Sequence, residues 1–295
     1  LAEAGKLPVS DKGAKYYPGL TRAADITLLD LMNHVSGYHD YYPLDFVDRP
    51  MAKPIEADEL IRRFAGRPLD FEPGSRWSYS NTGFVILGRI VEKVSGQPLG
   101  RFLADQIFKP NGMNHTYYEP DATQPGLAQG YTLFALSAPE KVTPEAKDWI
   151  AGAGAIYSTA SDLAAWDLAL VTGKVLKPDS YALMTKVREL SDGRVSWYGC
   201  GLSLAFNNRR FVLSHGGAVA GFQASNLMVP STRSAAVVLS NFENGQSGPI
   251  FNKLVEAILP VPKPSVPTIS GPPAAEAHKL LFAAYQAGKV DRTLL

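Results

Sequence analysis

Residues 198–240 constrain the fold most, because they read as a meander of strands at the far end of a chain whose earlier half is helical in pattern. The strand-like runs 198–206 and 210–214 are joined by Asn207-Asn208, a pair that tolerates the positive φ of a tight hairpin turn. Two further strand runs, 222–229 and 235–239, flank Pro230-Ser231-Thr232-Arg233. Helical runs precede them. Residues 26–35 carry Ile26, Leu28, Leu29, Leu31 and Met32 and stop at Ser36-Gly37; residues 57–65 stop at Gly66 and Pro68. The loop through Trp77-Ser78-Tyr79-Ser80-Asn81 feeds a long apolar run, 82–94, capped by Ser95-Gly96. Another helix spans 99–108 and breaks at Pro110-Asn111-Gly112; residues 119–148 are irregular and polar. Thr159-x-x-Asp162 resembles a capping box before a helix over 163–171, and 250–259 reads as a closing helix. Strands gathered late, with helices around them, imply an α+β fold in which helices cover an antiparallel sheet.

The prolines at 260, 262, 264, 267, 272 and 273 cannot continue a helix or a sheet, so 260–273 is expected to be a stiff linker ending a main domain over 1–259. Residues 274–295 hold one helical stretch with Leu280, Leu281, Phe282 and Tyr285, too little to fold alone, and open a C-terminal module or dock as a helix. At the other end, Leu1-Ala2-Glu3-Ala4-Gly5-Lys6 reads as the last turn of a helix with a glycine cap, so the natural start is expected upstream. With 45% apolar residues the chain can bury a sizeable core. A net charge of +1 lacks the basic excess of a nucleic-acid or anionic-membrane binder. No apolar run approaches the roughly 20 residues of a membrane-spanning helix. Cys200 is the one cysteine and has no internal disulfide partner, no Cys/His spacing suggests zinc, and His34 and His39 do not share a helical face. Neither a metal nor a cofactor is expected.

Three segments carry chemistry: His34-Val35-Ser36-Gly37 after a helix, Tyr79-Ser80-Asn81 before a helix, and His215-Gly216-Gly217 on a hairpin strand. With Pro73-Gly74, Asn81-Thr82-Gly83 and Ser240-Asn241, they resemble the class C β-lactamase, penicillin-binding protein and esterase family over about residues 1 to 260. The resemblance implies the β-lactamase/transpeptidase-like fold and acyl transfer through an acyl-enzyme. It makes Tyr79 the acid and base of the reaction, its phenol brought within reach of neutral pH by nearby ammonium charge. Asn81 would hold a lysine and a substrate amide, or cap the following helix, or both. His215 would form a polar or cationic wall near the leaving group or the substrate carboxylate, against the plainer reading of a structural strand histidine. Gly216 and Gly217 would let substrate lie against the strand, and the Ala218 N–H would be one half of an oxyanion hole. His34 reads as scaffold, a helix-ending histidine bonding a carbonyl, and the packing reading of Tyr79 stands beside the catalytic one.

The family nucleophile lies in Ser-x-x-Lys, and no serine or threonine of this chain has a lysine three residues later, nor is there a Gly-x-Ser-x-Gly elbow. By resemblance the serine is expected about a dozen residues before Leu1. Cys200, in an apolar run, is no substitute. The chain is thus expected to be most of a serine acyl hydrolase acting on a small ester, amide or β-lactam, completed by a separate or swapped N-terminal segment; the alternative is a non-catalytic remnant that binds acyl or peptidoglycan-like ligands. A periplasmic or secreted location is what the resemblance implies.

Overall fold

The computed structural model describes residues 1–42, 50–133, 137–243, 245, 247–260 and 272–289. The chain divides into two compact units, Leu1–Pro260 and Val261–Leu295. Most of the expected linker lies outside the described residues.

In the first unit a helical region comes first. Thr27 starts α1 (Leu28–Met32) with a complete capping box: its hydroxyl accepts the Asp30 N–H, and the Asp30 carboxylate accepts the Thr27 N–H at 2.8 Å. The helix α2 (Ala57–Ala65) turns Leu60, Ile61 and Phe64 inward, at the i, i+1, i+4 spacing of one helical face. The longest helix of the region, α3 (Asn81–Ser95), buries Val85, Ile86 and Ile90 against them and ends at Gly96 in the left-handed conformation. After α4 (Leu99–Leu103) the chain runs on through a π-helical turn, Ala104–Phe108. The short α5 (Ala151–Gly154) lies against α3 by a glycine-to-glycine contact: a Cβ on Gly152 would stand 2.5 Å from the Phe84 carbonyl and 3.1 Å from the Gly88 Cα. Only residues without side chains permit that approach.

The second half builds a sheet with a helix-packed cluster on each face. Two helices, α6 (Ala160–Val171) and α7 (Pro178–Met184), lead into β1 (Ser203–Asn207), β2 (Arg210–Val219), β3 (Phe222–Val229) and β4 (Ser234–Ser240). The order is β4-β3-β2-β1, antiparallel throughout, followed by α8 (Ser247–Ile258). Period-two alternation sorts the side chains: Val212, Leu227 and Val229 pack with Val255 and Leu259 at the end of α8, while Leu213 and Met228 pack with Leu170 of α6. This is the expected α+β arrangement of helices over an antiparallel sheet.

Three local expectations are corrected. The run 198–206 is not one strand: the chain turns at Gly201, φ 76°, and only Ser203–Asn207 joins the sheet. The hairpin turn sits one residue later than expected, at Asn208 and Arg209, both at positive φ as a two-residue type I′ loop requires. Thr159 caps α6 by accepting the Asp162 N–H, yet the Asp162 carboxylate takes the His115 N–H and the Thr116 hydroxyl instead of closing a box. In the second unit, α9 (Ala274–Gln286) leaves Leu280, Phe282 and Tyr285 exposed.

One buried group on α6 yields a testable sign. Asp167 is fully buried; its Oδ1 accepts the Asn226 amide N–H at 2.9 Å, while its Oδ2 and the Asn226 Oδ1 are buried without a partner among the described residues. Burial pushes the Asp167 carboxyl up to about 6. As pH rises from about 4 to about 6 the unfolded chain ionises this group while the native state resists, so stability falls by about 1.4 kcal/mol per pH unit over that window. An asparagine at 167 cannot ionise, and its amide N–H can supply the donor that Asn226 lacks. Asp167→Asn is therefore expected to be more stable than wild type by about 2–3 kcal/mol in urea unfolding at pH 7.5 and close to equal to it near pH 4. A less stable variant at pH 7.5 would refute the account.

Candidate active site

The end of α1 fixes the floor of the site. His34 follows α1 in the left-handed conformation, φ 57°, rare for a residue with a Cβ, and is almost fully buried. Its ring sits among Tyr79, Phe84, Tyr198 and Trp77, with centroids 4.2, 5.1, 4.9 and 6.3 Å away. The ring does not bond a carbonyl as expected of a helix-ending histidine: its Nδ1 accepts the Ser80 N–H at 3.1 Å, and its Nε2 lies 3.2 Å from the Tyr198 hydroxyl. Burial, with His215 nearby, pushes the His34 imidazole down to about 3, so the ring is neutral.

Tyr79 lies on that floor with its ring against His34 and 6.0 Å from the ring of His215. It is 36% exposed, and its hydroxyl makes no hydrogen bond to a described residue. The phenol is pushed up from its usual range, first by burial and then by the Asp40 carboxylate, the reverse of the expected lowering. The reason is local: the ammonium that would lower it is not among the described residues around the ring. Asn81 opens α3 and is held by Asp40, whose carboxylate accepts the Asn81 backbone N–H at 2.9 Å and its amide N–H groups at 3.2 Å. That satisfies a free N–H of the first helical turn and orients the side chain, and the Asn81 Oδ1 accepts from no described residue.

The opposite wall is the end of β2. A two-residue turn, Ala220-Gly221, closes on the pair Val219 and Phe222, and pairing with β3 runs on through Gly217 and His215. In an antiparallel ladder bonded and non-bonded pairs alternate, so Gly216 and Ala218 direct N–H and C=O to the other edge of β2. There β1 pairs only as far as Ser203 with Ser214, and past it no described strand covers the edge. Carboxylates hold the turn: Glu145 accepts the Ala220 N–H and Glu243 the Gly221 N–H, at 3.0 and 2.9 Å. His215 is not an open wall toward a leaving group, because both ring nitrogens are engaged: Nε2 with the Tyr198 hydroxyl at 2.8 Å and Nδ1 with the Gly216 carbonyl at 2.6 Å.

Tyr79, Asn81, His215, Gly216, Gly217 and Ala218 all line one cavity of about 1930 Å³. Local sequence pattern marks none of Asp40, Tyr198, Glu145 and Glu243 as site residues. The two glutamates carry no signal in a single sequence. Asp40 stands alone as an acid inside the aromatic run Tyr38-His39-Asp40-Tyr41-Tyr42, and Tyr198 precedes Gly199-Cys200-Gly201, a turn-like pattern that a strand reading passed over.

The chain is similar to proteins already characterised by sequence or structure. PbpX of Bacillus subtilis (strain 168), provisionally named a penicillin-binding protein, is 30% identical over 262 residues, 88% of this chain and 62% of that protein. A D-aminopeptidase of Brucella anthropi is 29% identical over 241 residues, 79% of this chain and 45% of that protein. The chain thus spans about half to three-fifths of the length of these relatives. A D-stereospecific amidohydrolase from Streptomyces sp. superposes with a TM-score of 0.75 at 25% identity, covering 87% of this chain and 80% of that one. The sequence profile of the Beta-lactamase family matches residues 1–258, and the chain belongs to that family.

Proposed function

We propose that these residues form the acid–base and oxyanion part of an acyl hydrolase that works through an acyl-enzyme, with nucleophile and lysine on a Ser-x-x-Lys segment upstream of Leu1. The observation that carries this reading is the Tyr79 phenol, unengaged by any described residue and facing a cavity whose far wall is the uncovered β2 edge. The cavity exceeds the roughly 300–1,000 Å³ of ordinary ligand pockets. Its lining includes Leu28, Met32, Phe84, Leu87, Val91 and Phe102, an apolar surface suited to a helix as well as a substrate. A lysine there would offset what burial and Asp40 do to the phenol, and the Asn81 Oδ1 would accept from its ammonium.

In the reaction the serine oxygen bonds to the substrate acyl carbon while its proton passes to the Lys–Tyr79 pair. The carbonyl oxygen collects charge against the Ala218 N–H and the N–H of the serine. Tyr79 returns a proton to the departing amine or alcohol, and water then releases the acid by the same steps. Among the described residues lining the cavity Asp40 is the one carboxylate, and there is no Lys or Arg. That favours amine-bearing amides or esters over substrates whose carboxylate needs a cation, and the D-aminopeptidase among the relatives is in line with the amine-bearing choice. A fluorophosphonate probe, followed by peptide mapping of the natural polypeptide, tests the reading. The label is expected on a serine of a Ser-x-x-Lys segment outside residues 1–295; label on a serine within 1–295, or none anywhere, would refute it.

A further inference from the structure

We infer that Tyr198 is a positioning residue, which passes a hydrogen-bond polarity set at Ser80 through His34 to His215 and thereby fixes the His215 proton on Nδ1, against the Gly216 carbonyl. For its catalytic consequence the inference rests on the acyl-transfer reading above; its geometry does not.

The polarity follows from donors and acceptors alone. A backbone N–H is always a donor, so the Ser80 N–H makes the His34 Nδ1 an acceptor and leaves the one proton of the neutral ring on Nε2. That Nε2–H donates to the Tyr198 hydroxyl oxygen at 3.2 Å. The hydroxyl has a single proton, and its other neighbour is the His215 Nε2 at 2.8 Å, so Tyr198 donates there. His215 Nε2 is then an acceptor, its proton sits on Nδ1, and Nδ1–H donates to the Gly216 carbonyl at 2.6 Å. The Gly216 carbonyl can only accept, so the far end of the chain independently calls for a proton on His215 Nδ1.

The chain is held at both ends and in the middle. Tyr198 is 4% exposed, and the turn after it is pinned: the Cys200 N–H donates to the Met184 carbonyl that ends α7, and the Gly201 N–H donates to the Met32 carbonyl that ends α1. A Cβ on Gly199 would stand 2.1 Å from the Met184 carbonyl, so the residue after Tyr198 has to be glycine. The Gly216 carbonyl and the Ala218 N–H face the same uncovered edge of β2. Satisfying the carbonyl with Nδ1–H holds that edge in place and leaves the Gly216 and Ala218 N–H groups turned to it as donors.

Two-bond ¹H–¹⁵N correlation spectra of the natural protein carrying ¹⁵N-histidine read the tautomers directly. In wild type, His34 is expected to carry its proton on Nε2 and His215 on Nδ1. In Tyr198→Phe, which keeps the ring, nothing holds the His215 Nε2, so the imidazole is free to turn away from the Gly216 carbonyl and is expected to become a mixture of tautomers. The kcat of Tyr198→Phe is expected to fall about tenfold with KM unchanged, the scale of one lost hydrogen bond felt in the transition state. A wild-type His215 proton on Nε2, or a single unchanged His215 tautomer in Tyr198→Phe, would overturn the inference. Serine labelling fails or succeeds independently of these spectra, so the two readings fall separately.

Discussion

Tyr79→Phe is expected to lower kcat for ester or amide hydrolysis by at least roughly 10²-fold, the usual scale for losing a general acid and base, while leaving the fold intact. The two halves of this expectation have different sources. The ring of Tyr79 is the structural part: it lies 4.2 Å from the ring of His34, and phenylalanine keeps that contact. The hydroxyl bonds to no described residue, so its removal strands no donor or acceptor, and urea unfolding should move by no more than about 0.5 kcal/mol. Burial and Asp40 hold the resting phenol protonated, the form that donates to a leaving group. Loss of that proton donor should appear in kcat more than in KM, because it acts on the departing group in the transition state. A variant that keeps most of its kcat would remove Tyr79 from the mechanism and restore the reading of this residue as packing.

The fold class was legible in the sequence because it depends on periodicity, which a single chain displays. Helix α2 was expected over 57–65 and occupies Ala57–Ala65; β3 was expected over 222–229 and occupies Phe222–Val229. The misread run 198–206 shows the limit of that signal. Its residues are apolar and aromatic, as in a strand, yet Gly201 at φ 76° turns the chain, and Tyr198 serves a hydrogen bond to His215, not a ladder. The site was legible in part for a related reason. Motifs mark Tyr79, Asn81 and His215 because their spacing is local, whereas Asp40 reaches Asn81 and Tyr198 reaches His34 only through the fold. Long-range pairs of this kind leave no trace in local pattern. The lowering expected for the Tyr79 phenol depends on an ammonium that the described residues around the ring do not supply, and with burial and Asp40 alone the phenol is pushed up.

Gly37→Ala is expected to cost roughly 2–5 kcal/mol of stability, a large share of the 5–15 kcal/mol of an ordinary domain. The segment His34-Val35-Ser36-Gly37 works as a template for the chain that delivers Tyr79. The His34 carbonyl accepts the Ser78 N–H at 3.0 Å, the Val35 carbonyl the Gly74 N–H at 2.8 Å, and the Gly37 carbonyl the Asp70 N–H at 2.9 Å. Two separate terms fall on Gly37. Its φ of 82° is left-handed, which costs a residue with a Cβ about 1–2 kcal/mol. A Cβ there would also stand 2.3 Å from the Phe71 carbonyl oxygen, a backbone atom that cannot swing aside, so the template and the segment it holds must part at a further cost of about 1–3 kcal/mol. Gly74 separates the terms, since it has a similar φ of 78° and nothing within 4 Å of an added Cβ. Gly74→Ala should therefore lose about 1–2 kcal/mol in urea unfolding and keep its activity, while Gly37→Ala loses more and also lowers kcat by displacing Tyr79. Equal losses in the two variants would mean that the Phe71 contact is relieved without consequence, and the template role of the motif would fall with it.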